Sequence, residues 1–226
     1  MSDNRLQAVL FDLDGTLIDT APDFARVLNG MRKRRDLPDI AYERIHATVS
    51  EGARALVELG FDLREGDSGF EALRQELLDN YIEQLSIESR LYPGMDDVLR
   101  WLEAQGICWG IVTNKPVFYA EPLLRDLQLS ERCRTLVCPD HVKQRKPHAE
   151  PILLACSQIG AQPQASVYVG DHRRDIDAGR NAGSTTIACR YGYIDASDPV
   201  DSWGADYTVG SAPELIAILE QIQETP

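Results

Sequence analysis

No stretch of the 226 residues approaches the roughly 18 consecutive apolar residues needed to cross a bilayer, so a membrane partner is not expected. The opening stretch, Met1 to Gln7, is polar and lacks the apolar core of a secretory signal, which makes a cytoplasmic protein the expectation. Cysteine is sparse. Five are present (Cys108, Cys133, Cys138, Cys156 and Cys189), an odd number with no C-x-x-C spacing, so reduced thiols are expected rather than a disulfide framework. Basic residues are in deficit, 23 Lys and Arg against 36 Asp and Glu. The resulting formal net charge of −13 argues against a nucleic-acid partner, which needs a basic footprint. The same field repels small anions, so a site that takes one has to supply local cations. Repeats and low-complexity tracts are also missing. What remains is a chain sized for one large domain, or a core with a smaller insertion, able to bury roughly 70% of its unfolded surface.

The apolar run from Ala8 to Phe11 suits a buried parallel strand. Thr20-Ala21-Pro22-Asp23 reads as a capping box opening a helix that continues to about Arg35. Two more helices are expected over about Ala41–Leu59 and Phe70–Ser86, separated by the loop from Leu63 to Gly69. No strand signal appears between Ile18 and Arg90. From Tyr92-Pro93-Gly94 onward the pattern alternates. Helices are expected over Met95–Gln105, Val117–Leu127, Glu150–Ile159 and Asp175–Ala182. Strands are expected over Ile107–Val112, Thr135–Cys138, Ser166–Val169, Thr185–Cys189 and Ala205–Val209. Ser211-Ala212-Pro213-Glu214 reads as a second capping box before a last helix. Strand–helix alternation of this kind gives a parallel sheet covered on both faces. The fold class is therefore α/β, with an all-helical insertion over 18–91 and a discontinuous core from 1–17 and 92–226.

The chemistry begins at Asp12-Leu13-Asp14-Gly15-Thr16. Residues two apart on an extended segment point the same way, so Asp12 and Asp14 can face one site at the C-terminal edge of the sheet. Two carboxylates that close resist joint ionisation unless a cation lies between them or one takes a proton. Both remedies serve phosphoryl transfer: one carboxylate attacks phosphorus, the other handles the proton of the leaving oxygen. Gly170-Asp171-His172-Arg173-Arg174-Asp175 is a second acidic cluster at a strand end. Asp12, the backbone carbonyl of Asp14 and Asp171 make a partial oxygen shell of the kind Mg²⁺ takes, with Asp175 one helical turn on as a further ligand or, preferably, a group in contact with the ligands. Thr113 and Asn114 can donate to phosphate oxygens. Lys146 and Lys143 both offer a charge beside a phosphorylated aspartate, and spacing does not choose between them.

These motifs, taken in order, resemble the haloacid dehalogenase superfamily: Asp12-Leu13-Asp14-Gly15-Thr16, Val112-Thr113-Asn114, Lys146-Pro147 and Gly170 to Asp175. The resemblance implies a Rossmann-like core with a helical cap inserted after the first motif. It implies Asp12 as nucleophile, Asp14 as general acid and base, Thr113 as phosphate donor with Asn114 beside it, Lys146 as the stabilising charge, and Asp171 as ligand to Mg²⁺. The partner it implies is a small-molecule phosphate ester; monomer and homodimer are both left open by the sequence. A sugar phosphomutase and a dehalogenase share this scaffold; Asp14 speaks against the dehalogenase, because halide departure needs no proton. Within the superfamily the chain resembles the phosphoglycolate phosphatase-like group through Thr113-Asn114-Lys115-Pro116. The segments Cys138 to Pro147, Arg190 to Ile194 and Trp203 to Asp206 are similar to the bacterial N-acetylmuramic acid 6-phosphate phosphatases. Two departures stand out: His172 occupies a position usually held by Ser, Asp or Asn, and Ala149 replaces a common proline.

In the insertion, Ser50, Gly52 and Arg54 form a glycine loop with an arginine that could bind a substrate anion. Arg32-Lys33-Arg34-Arg35 reads as the solvated end of the first inserted helix, where cations suit the helix dipole. His141 and His148 read as loop residues, Trp101 and Trp109 as core.

Overall fold

The computed structural model describes residues 6–224; Met1–Arg5, part of the polar opening stretch, lie outside them. The contacts divide the chain into two compact units, Met1–Ile18 with Leu91–Pro226, and Asp19–Arg90.

The first unit is a six-stranded parallel sheet in the order β5-β4-β1-β6-β7-β8. Its strands are β1 (Ala8–Phe11), β4 (Cys108–Val112), β5 (Leu136–Val137), β6 (Ser166–Gly170), β7 (Thr185–Cys189) and β8 (Tyr207–Val209). Strands β2 (Ile18–Asp19) and β3 (Arg90–Leu91) pair separately in a short ribbon, two-residue strands too brief to leave a periodic signal. The sheet is covered by α5 (Met95–Ala104), α6 (Val117–Asp126), α7 (Glu150–Ile159), α8 (Arg173–Ala182) and α9 (Glu214–Glu224). Every residue of β1 and β6 is buried, as expected of strands covered on both faces. Leu10, Val112, Val137 and Tyr168 from the sheet pack with Ile152, Ala155 and Cys156 of α7 and Ala178 and Ala182 of α8. Removing a leucine side chain of this kind from water contributes about 1.5–3 kcal/mol. Gly179 lets α8 approach the sheet, since a Cβ there would lie 2.5 Å from Thr186 Cγ2.

Sheet order explains where the site forms. Strand β1 lies between β4 and β6, so the chain crosses in opposite directions from it, and ligands of open α/β sheets bind at such a reversal. Phe11 is in register with Ile111 on one side and Val169 on the other. The residues just past these strand ends therefore come out side by side: Asp12, Thr113 and Asp171.

The second unit is helical: α1 (Ala21–Lys33), α2 (Tyr42–His46), α3 (Gly52–Phe61) and α4 (Phe70–Glu83). Phe24 and Tyr81 stack at its core with centroids 4.0 Å apart. The expected helix over Ala41–Leu59 is interrupted by a 3₁₀ turn at Val49–Glu51, and Gly52 has φ +82°, a conformation costly for other residues. The Thr20–Asp23 capping box does not form. Asp23 is fully buried, and it accepts from the N–H of Glu88 (2.9 Å), the N–H of Ser89 (3.1 Å) and the Ser89 hydroxyl (2.5 Å) while pairing with Arg26 (2.6 Å). Burial works against its charge, but these donors prevail and lower its pKa. The basic run is not simply solvated: Arg34 and Arg35 both pair with Glu76, and Arg32 donates to the carbonyls of Pro38 and Gly60. At the second expected box, Glu214 reaches back to the Gly210 N–H and Ser211 hydroxyl, and the helix begins only at Glu214.

Candidate active site

Lys146 is the centre of the arrangement. Its side chain is fully enclosed, and Nζ lies 2.8 Å from Asp12 Oδ1 and 2.7 Å from Asp175 Oδ1. Nζ also donates to the Val112 carbonyl (3.0 Å) and the Tyr168 hydroxyl (2.9 Å), and that hydroxyl donates to the same carbonyl (2.7 Å). Burial works to lower the pKa of the lysine, but the carboxylates of Asp12 and Asp175 hold it above the ordinary value. Lys143, by contrast, is exposed, and its backbone N–H is bonded to Glu150. Of these two lysines, Lys146 is the one placed against Asp12 and Asp175.

Asp171 follows β6 directly. Its Oδ1 accepts from the Thr16 hydroxyl at 2.9 Å and its Oδ2 from the Tyr193 N–H at 2.8 Å. Burial first, then the charges of Asp12 and Asp175, push its pKa up to about 8. The carboxylate is also closely walled. A Cβ on Gly15, which has φ +86°, would lie 2.1 Å from Asp171 Oδ2, and one on Gly192 would lie 2.3 Å from Asp171 Cβ. Asp175 Oδ2 accepts from the His172 N–H at 3.1 Å, and the His172 ring in turn accepts from the Arg174 N–H at 3.2 Å. His172 thus caps α8 and stacks on Trp203, 6.4 Å between centroids.

Asp12, Asp171 and Asp175 are all buried and can bring oxygens within 4.8 Å of one another. Lys146 pairs with two of these carboxylates, Asp12 and Asp175, and Asp171 lies beside them in a place shielded from water. The donors are all oxygen, the choice of a hard divalent cation, which would favour the charged form of Asp171 against the burial and the neighbouring carboxylates that raise its pKa.

The remaining expected residues lie as follows. Asp14 is the most open of the four carboxylates and pairs with Lys115, Nζ to Oδ1 2.9 Å. Thr113 is buried, and its hydroxyl oxygen accepts from the Lys115 N–H at 3.1 Å. Asn114 donates one amide proton to the Lys146 carbonyl at 3.2 Å, tying the two loops. Ser50 and Gly52 lie at the 3₁₀ turn and the start of α3, and Arg54 on α3 forms an exposed pair with Glu65 at 2.7 Å. His141 and His148 cap their own turns through Nδ1. Trp109 is core, whereas Trp101 is only half-buried. Sequence reasoning missed the site contacts of Lys115, Thr16, Tyr168 and the Tyr193 N–H. Thr16 and Lys115 lie inside the motifs Asp12–Thr16 and Thr113–Pro116, and Tyr193 inside the segment Arg190–Ile194, which was the available signal.

Residues 9–189 match the family model described as haloacid dehalogenase-like hydrolase. The chain is 49% identical over 217 residues to the N-acetylmuramic acid 6-phosphate phosphatase of Pseudomonas aeruginosa, covering 96% of each chain. It is 41% identical to the phosphoglycolate phosphatase of Xanthomonas campestris over 209 residues, 92% of this chain and 94% of that one. A crystal structure of a predicted phosphoglycolate phosphatase from Haemophilus somnus superposes with a TM-score of 0.83 at 26% identity, covering 96% of this chain and 99% of that one.

Proposed function

This chain belongs to the haloacid dehalogenase-like hydrolases and is a phosphatase, and we propose that it removes phosphate from N-acetylmuramic acid 6-phosphate through an aspartyl-phosphate on Asp12. The observation that carries the mechanism is Lys146, held between Asp12 and Asp175 in a closed pocket with Asp171 alongside. The substrate is supported by relatives of that name at 49% and 46% identity. Phosphoglycolate is the alternative, supported by the relative at 41%.

Asp12 attacks phosphorus in line while Asp14 gives its proton to the departing sugar oxygen. Asp14 then takes a proton from water, which attacks phosphorus and frees Asp12. Lys146 holds positive charge beside Asp12 throughout, and the Thr113 hydroxyl keeps a proton to donate to phosphate. Mg²⁺ would be held by Asp12, the Asp14 carbonyl and Asp171, where it would neutralise charge on the transferring group. Asp175, with one oxygen on Lys146 and the other on the His172 N–H, orients the lysine.

Excess chelator is expected to abolish phosphate release, Mg²⁺ to restore it, and Ca²⁺ to do so poorly because its shell is larger and looser. Full turnover in chelator would remove Asp171 from the metal. For substrate choice, N-acetylmuramic acid 6-phosphate should give a higher kcat/KM than phosphoglycolate. Both carry a carboxylate, and Arg54 is our choice for its partner, since an exposed pair such as Arg54–Glu65 costs little to give up. Arg54→Ala should lower kcat/KM about 10- to 150-fold on the carboxylate substrate and leave p-nitrophenyl phosphate nearly unchanged. A phosphate-release assay across these three esters tests both statements. A preference for phosphoglycolate reverses the ranking, and equal losses in the Arg54 variant remove Arg54 from recognition.

A further inference from the structure

The site holds two lysines on different aspartates, Lys146 on Asp12 and Asp175 and Lys115 on Asp14. Lys146 serves Asp12, the nucleophile, from inside the closed pocket. Lys115 serves Asp14, 101 residues away in sequence, and its own side chain is 7% exposed where that of Asp14 is 18% exposed. Asp14 is thus the working carboxylate nearest the open side of the site, where a leaving group has to sit. The Lys115 backbone is fixed as well, since its N–H bonds the Thr113 hydroxyl oxygen and Thr113 continues the ladder from β4 by donating to the Val137 carbonyl at 2.9 Å. The ammonium therefore hangs from a rigid strand end and grips one oxygen of Asp14.

We propose that Lys115 is the positioning residue of the acid step: it fixes the Asp14 carboxyl group so that its proton meets the leaving oxygen. The inference rests on the acid role of Asp14 in the reading above. As the Asp12–phosphorus bond forms and the phosphorus–ester oxygen bond breaks, the proton passes from Asp14 to the ester oxygen, and Lys115 keeps its own protons. General acid transfer contributes about 10²–10⁴-fold, and a misplacement of about 1 Å can cost on the order of 100-fold. The cost depends on the leaving group. An alkoxide needs its proton during departure, whereas p-nitrophenolate leaves without one. A residue that merely stiffened the loop would tax both alike.

The test is kcat/KM for Lys115→Met with Mg²⁺ across phosphate esters without a carboxylate, from p-nitrophenyl phosphate through phenyl phosphate to N-acetylglucosamine 6-phosphate. The expected loss is about 10- to 100-fold on the sugar phosphate and under about threefold on p-nitrophenyl phosphate, with phenyl phosphate between. Lys115→Gln serves in the same assay if Lys115→Met does not fold. In an Asp14→Asn background the Lys115 change should add nothing, because the residue acts through Asp14. A uniform loss along the series, or a further loss in the Asp14→Asn background, overturns the proposal. Failure of the wild-type protein to turn over any ester would instead overturn the phosphatase reading on which it rests.

Discussion

Asp12→Asn is expected to leave a folded protein with no measurable phosphate release. The amide is a poor nucleophile and a weaker metal ligand, so both halves of the role proposed for Asp12 vanish together. Loss of a covalent nucleophile costs on the order of 10⁴-fold or more. The fold should tolerate the change. Asp12 emerges from a strand whose ladder is kept by backbone bonds, such as Asp12 N–H to the Val169 carbonyl at 2.9 Å. Removing its charge also relieves repulsion with Asp171 and Asp175, while Lys146 retains Asp175 as partner. The thermal midpoint should shift by no more than a few degrees. A folded variant with near-wild-type phosphate release would end the mechanism.

Lys146→Met should damage both activity and stability. The lysine is enclosed between Asp12 and Asp175, and it donates to the Tyr168 hydroxyl and Val112 carbonyl as well. Methionine fills much the same volume without the charge. Removing one partner from a buried ion pair costs about 3–5 kcal/mol, because the other charge is left uncompensated. At about 2–4 °C per kcal/mol for a chain of this size, the midpoint should fall by roughly 10 °C. Mg²⁺ should recover part of that loss by restoring positive charge to the carboxylates, without recovering activity. Scanning calorimetry with and without Mg²⁺ measures it. An unchanged midpoint would mean that the carboxylates do not depend on Lys146.

Much of this site was legible because parallel strands place chemistry at their C-terminal ends, where the sequence shows an apolar run followed at once by polar residues. That rule located Asp12, Thr113 and Asp171, and strand order then brought them together. The same rule is silent on partners far away in sequence. Nothing local reveals that Lys115 reaches Asp14, or that Tyr168, halfway along a buried strand, supports Lys146. The Thr20–Asp23 box failed for a related reason: Asp23 has the right spacing for a cap, but groups 65 and 66 residues downstream bind it instead. The broken helix shows the limit of periodicity, since the apolar spacing continues while the backbone leaves the helix after His46 and resumes it only at Gly52.

Strand β1 sits between β4 and β6, pairing Ala8 with Cys108 on one side and with Ser166 on the other. During synthesis the strand that leads into Asp12 is made first, well before either of its neighbours. Its second edge waits for 166 − 8 = 158 further residues to be added, which takes roughly 8–30 s at ribosomal rates of about 5–20 residues per second. Over that interval a fully apolar strand end carries an open row of backbone donors and acceptors, the kind of edge that pairs with other chains. A nascent chain interrupted before Ser166 therefore lacks Asp171 and Asp175 and keeps this edge of β1 open.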